Sequence, residues 1–309
     1  MVTPNREAVI ENIKANAAAR NLNDKVEVGD PVVTDEERKQ ILDHYLKVRR
    51  TPLFKIKNWV AGRAADVLTW KINKNTKIVG LENASGIKDG AFITTNHFNP
   101  EENTEIRLLS QKMNQGNLFV ISQDTNLKMK GWFGFFMYYM DIIPVSPNRK
   151  YMTEKFDELI DEAFRRKQNI LIYPEQEMWF NYRKPRPLKR GAYYYAAKHN
   201  KPILPCFTEI RETTKKETED FYEIRYILHV LKPIYPDPEK SVHENSKEMM
   251  QQDYLEKVAA YEEAYGKKLD YTFEPWDIAG WLPGAETESC AGEKTEVKRD
   301  GDLFAIKEA

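Results

Sequence analysis

Apolar residues recur at three- and four-residue spacing over 5–20 and 35–49, which predicts two helices. The intervening LNDKVEVGDPVV carries Asn, Asp, Gly and Pro and predicts a loop. A third helix is predicted over 52–72, where Phe54, Trp59, Val60, Ala64, Val67, Leu68 and Ile72 share one broad face. Lys55, Lys57, Arg63 and Lys71 add positive charge. That mixture suits a helix at a membrane interface or one packed on an ordinary core.

From Ala91 onward, short apolar runs alternate with helical stretches. Strands are predicted at 91–95, 118–122, 142–145, 169–173 and 203–207, with helices near 100–113, 151–167 and 189–199. This alternation predicts an α/β fold: a mixed, mainly parallel sheet flanked by helices, with helical additions at both ends. Residues 221–231 read as one more strand near an edge. Pro233, Pro236 and Pro238 mark a break, and 240–265 read as an exposed helix. The expected organisation is an N-terminal helical region at 1–69, an α/β domain at 70–235, a C-terminal helical extension at 236–283 and a mobile tail at 284–309.

Composition narrows the function classes. With 47 basic and 48 acidic residues the formal charge is -1, which lacks the basic excess of a nucleic-acid-binding domain. The two cysteines, Cys206 and Cys290, are too few for a disulfide framework and fit a reducing compartment. No apolar signal core opens the chain. The longest apolar stretch, from Trp132, is broken by Asp141 and falls short of the ~20 residues a spanning helix needs. A cytoplasmic protein, peripheral on the inner face of the membrane, is expected. No zinc-type Cys/His spacing, HExxH or nucleotide-type glycine loop is present, so neither metal nor cofactor is expected.

The chemistry concentrates in AFITTNHFNPEENTE at 91–105. A buried strand runs into Asn96-His97, and a helix is predicted to begin at Asn99-Pro100. His97 therefore falls in the loop at a strand end, where open α/β sheets build sites. Glu102 has two readings. It orients the His97 ring and stabilises the imidazolium, or it folds back on Asn99 as a capping box.

Asn96-His97-x-x-x-x-Glu102 resembles the NHxxxxD motif of the 1-acylglycerol-3-phosphate acyltransferase family. Three further blocks are similar to that family in the same order: 130–149, ending IPVSPNR; Ile172-Tyr173-Pro174-Glu175; and LKRGAYYYAAKHNKPILPC at 188–206. The resemblance covers roughly 70–235. It implies that His97 removes a proton from an acceptor hydroxyl, which attacks an acyl thioester of coenzyme A or acyl-carrier protein, with Glu102 orienting the base. It places Asn96, Arg149, Pro174, Glu175, Lys189 and Arg190 around the substrate and makes a lysolipid the acceptor; an anionic membrane surface is expected as a further partner from the basic residues that follow Trp179.

Two positions depart from the family pattern. Glu102 stands where the family has Asp. PEGTRS is replaced by Pro174-Glu175-Gln176-Glu177-Met178-Trp179, without the glycine or the arginine. The basic stretch 183–190 follows at once, and either supplies the missing cation, meets anionic lipid or is a solvated loop. The aromatic run 132–139 lines an acyl groove, dips into the interface or packs a core. A lipid-binding relative with weak catalysis and an acyl-thioester hydrolase are the alternative functions.

Overall fold

The computed structural model describes residues 5–29 and 33–283; Cys290 and the predicted tail at 284–309 lie outside them. Strands β1 (Lys77–Val79), β2 (Phe92–Thr94), β3 (Leu118–Gln123), β4 (Ile142–Val145), β5 (Asn169–Ile172), β6 (Ile203–Lys216) and β7 (Tyr222–Val230) form one sheet in the order β1-β7-β6-β2-β5-β3-β4. The five strands from β6 to β4 are parallel. β7 runs antiparallel to β6, and β1 lies parallel to β7. The expected mixed, mainly parallel sheet is what forms.

Helices α1 (Arg6–Ala18), α2 (Asp35–Val48) and α3 (Pro52–Ile72) precede the sheet, and α4 (Asn103–Lys112) and α5 (Gly131–Tyr139) flank β3. A short α6 (Arg149–Tyr151) passes through one wide turn into α7 (Asp157–Arg165), followed by α8 (Gly191–Lys198) and α9 (Val242–Tyr265). Successive strand residues point to opposite faces, and both faces are buried. Phe92, Phe119, Ile170 and Ile172 pack with α7 and α8 on one side. Ile93, Val120, Leu171 and Leu204 pack with Ile106 and Leu109 of α4 on the other.

α3 starts where its sequence specifies: Thr51 accepts the Phe54 amide at 3.2 Å and Pro52 takes the first helical position. Its apolar residues divide between two faces rather than sharing one. Phe54, Ala61, Ala65 and Thr69 are buried, while Trp59, Val60 and Val67 face outward. Gly134 lets α5 sit against the Met129 carbonyl, where a Cβ would fall 1.9 Å from the oxygen.

α9 is not the exposed helix its composition suggests. It buries a polar stripe of Asn245, Ser246, Asp253 and Lys257 beside Met249, Ala260 and Tyr261. Asp253 and Lys257 are 0% exposed and paired at 2.5 Å. Asp253 also accepts the hydroxyls of Thr94 at 2.6 Å and Tyr193 at 2.5 Å, and Lys257 donates to Thr94 at 2.9 Å. The C-terminal extension is thus bonded to the strand that leads into His97.

Candidate active site

β2 delivers the chain to Asn96 and His97 at the carboxyl end of the sheet. Asn96 is 1% exposed and closes a two-bond clamp on β6, accepting the Thr208 amide at 2.8 Å and donating to the Thr208 carbonyl at 3.1 Å. It was expected near substrate; its amide is engaged by the protein, and it fixes where the next residue sits.

The His97 ring is held by two neighbours. Nδ1 is hydrogen-bonded to Oε1 of Glu102, and the ring stacks on Tyr173 at a centroid distance of 4.0 Å and an interplanar angle of 12°. With Nδ1 donating to the carboxylate, Nε2 is the nitrogen with a lone pair for a proton. The side chain is 21% exposed, so it remains reachable. Oε2 of Glu102 accepts the amides of Phe98 at 2.5 Å and Asn99 at 2.9 Å. Orientation of the ring and capping of the loop therefore coexist in one carboxylate. α4 begins at Asn103 rather than at Asn99-Pro100, because the side chain of Asn99 turns the chain early by accepting the Glu101 amide at 3.0 Å.

Two buried neighbours of the site are biased toward their neutral forms. Tyr173 has a buried hydroxyl, and burial with the adjacent Glu102 charge keeps it protonated well above the usual phenol range. Glu105, one turn beyond Glu102, is 0% exposed with Oε1 unpartnered and Oε2 accepting the Thr208 hydroxyl at 3.3 Å. Burial first, and the Glu102 charge second, push its carboxyl well above the ordinary carboxylate range. Neither role had a signal in the sequence beyond residue type.

The loop after β5 differs most from expectation. Glu175, expected to line an acceptor pocket, is 1% exposed. Its carboxylate accepts the His97 amide at 3.2 Å, the Arg186 amide at 2.9 Å and Arg186 Nε at 3.0 Å. Pro174 is buried beside it, its carbonyl accepting the Lys189 amide at 2.8 Å. The basic stretch is not a solvated or lipid-facing loop in its first half. Arg183 is buried on Glu212 and the Trp276 carbonyl, Lys184 on Asp277 at 2.7 Å, and Arg186 on Glu175. Buried cations persist only when paired, and each of these has its partner.

Cations nearer the surface remain. Arg149, at the start of α6, is exposed, and Lys189 and Arg190 are half-buried at the entry to α8. Arg190 lies 3.4 Å from His243. Cys206 is fully buried, which pushes its thiol far above the usual range and makes it a poor nucleophile. Among the described residues, no group of three His, Cys, Asp or Glu side chains stands together to hold a metal ion.

Beside Pro100 and Glu101 opens a narrow apolar groove. Its walls are Ala65 and Leu68 of α3 and Phe133, Phe136 and Met137 of α5; Val120 and Ile142 form part of its floor. Part of the aromatic run, Trp132, Phe133, Phe136 and Met137, thus lines this groove.

His97 and Glu102 thus form a hydrogen-bonded pair at the end of a parallel strand, near an apolar groove. Residues 75–209, which span the sheet from before β1 into β6, match the family model described as Acyltransferase. Among solved structures, the 1-acyl-sn-glycerophosphate (LPA) acyltransferase PlsC from Thermotoga maritima is similar, with a TM-score of 0.43 and 17% identity over 75% of this chain and 90% of that one. No curated protein matches the chain.

Proposed function

We propose that the protein is an O-acyltransferase that moves a fatty acyl group from a thioester of coenzyme A or acyl-carrier protein to a hydroxyl of a lysolipid. The observation that carries this reading is the His97–Glu102 pair beside the apolar groove. A hydroxyl is a poor nucleophile until a base removes its proton, whereas a thioester is already activated. Nε2 of His97 takes the hydroxyl proton as the oxygen attacks the thioester carbonyl. Glu102 stabilises the imidazolium. As the tetrahedral intermediate collapses, the C–S bond breaks and the leaving thiolate takes the proton from His97.

The apolar lining of the groove suits an acyl chain, and Arg149 and Arg190 are cations near the surface for an anionic headgroup. Membrane contact falls to α3. Leu53, Ile56, Trp59, Val60, Val67 and Trp70 are 45% to 69% exposed, and Trp132 of α5 is 58% exposed. An outward face of Trp and aliphatic residues with Lys55 and Lys71 alongside suits the lipid–water boundary. Among the described residues no helix is long and apolar enough to cross a membrane.

The test is to incubate the protein with labelled acyl-coenzyme A or acyl-carrier protein and a panel of lysolipids, with His97→Ala as control. A labelled diacyl product that disappears in the control is expected. Free fatty acid as the sole product would replace this reading with a hydrolase.

A further inference from the structure

The loop 175–187, where the family pattern is lost, is not held by the family-matched body alone. Leu22, Asn23 and Asp24 lie outside the matched stretch 75–209, yet all three bond to it. Asn23 Nδ2 donates to the carbonyls of Glu175 at 3.1 Å and Pro187 at 2.7 Å, tying the two ends of the loop together. The Asp24 carbonyl accepts Trp179 Nε1 at 3.0 Å. The Leu22 carbonyl accepts Arg186 NH1 at 3.1 Å.

The other face of the same loop grips the catalytic backbone. Arg186 NH2 donates to the His97 carbonyl at 3.3 Å, the Trp179 amide donates to it at 3.0 Å, and Glu175 accepts the His97 amide. One guanidinium, 1% exposed and lying 4.8 Å from the Trp179 ring centre, therefore joins the N-terminal segment to the residue that carries the base. A planar fork with five donors is suited to such a junction, and a lysine is not.

We infer that the segment around Asn23 is a working part of the active site. Asn23 and Arg186 are positioning residues: through the loop 175–187 they fix the backbone of His97 and so the direction of its imidazole. This rests on the proposed acyl transfer for its kinetic consequence, but its structural half does not. Misplacing a reacting group by about an ångström costs on the order of a hundredfold in rate, so a loosened brace acts on turnover before it acts on binding.

The experiment compares the full chain with Asn23→Ala and Asn23→Asp, which keeps the shape but loses the donor. Amide hydrogen exchange is followed by mass spectrometry, and acyl transfer is measured with the best donor and acceptor. Exchange is expected to rise about tenfold or more in peptides containing His97 and 175–187 in both variants, with the β3 and β4 peptides unchanged. The turnover number is expected to fall about tenfold or more with KM within about twofold. Faster exchange confined to 5–29, or uniform across the sheet, overturns the inference, as does unchanged turnover alongside faster loop exchange. A wild-type chain with no transferase activity would sink the proposed function, while the exchange result would still decide whether Asn23 braces His97.

Discussion

Glu102 gives one oxygen to Nδ1 of His97 and the other to the amides of Phe98 and Asn99, so the ring and its own loop are fixed by the same carboxylate. The partition has a direct test. A glutamine offers one carbonyl oxygen and no charge to the imidazolium. Glu102→Gln is therefore expected to lower turnover about a hundredfold or more while leaving the fold intact. Glu102→Asp keeps the charge and should retain more activity than Gln. Equal turnover for Gln and Glu, in steady-state assays of the purified variants, would reduce Glu102 to a cap.

Glu105 predicts a pH signature. Its folded carboxyl holds its proton well above the ordinary value of 4.5, so the native state binds a proton that the unfolded chain has released. That contribution is fully favourable below 4.5 and is lost as pH rises toward the folded value. Glu105→Gln mimics the neutral acid at all pH. Its melting temperature should exceed that of the wild type by a margin that grows as pH rises above 4.5. A margin independent of pH would show that Glu105 is ionised in the fold.

Asp253 and Lys257 make a second stability prediction. Lys257→Met leaves a carboxylate buried with only the Thr94 and Tyr193 hydroxyls, and should cost about 3 kcal/mol in urea denaturation. Adding Asp253→Leu removes the stranded charge and should recover much of that loss. A double variant less stable than the single would indicate that the pair itself contributes strongly.

Membrane binding should depend on α3 rather than on 183–186. In vesicle sedimentation, Trp59→Ser with Trp70→Ser is expected to reduce binding about tenfold or more, with weak dependence on salt. Binding that vanishes at high salt and ignores the tryptophans would move the contact to the surface cations.

The parts of this fold that were legible in the sequence are those whose own residues decide them. β4 and α3 fall at the predicted positions because IIPV is apolar on both faces and Thr51-Pro52 is a start signal. β1 was missed because its three residues lie half-exposed against β7, with no alternation long enough to read. β6 runs nine residues past its apolar start because pairing with β7 carries it beyond Ile210, where its burial ends. The buried face of α9 is polar, so amphipathicity could not reveal it. The cations of 183–186 looked solvated because their partners, Glu212 and Asp277 among them, are distant in sequence. His97 and Glu102 were visible as a motif, whereas the brace from Asn23 is made largely through main-chain carbonyls that any residue supplies.

β2 sits between β5 and β6, is bonded to α9 through Thr94, and carries Asn96, which waits for Thr208. During vectorial synthesis, residues 92–97 emerge long before any of those partners exist. The strand bearing the histidine is thus among the last to be secured. A nascent chain on the ribosome, or a product truncated before β6, holds His97 without the partners that place it, and those partners are complete only once α9 has been made.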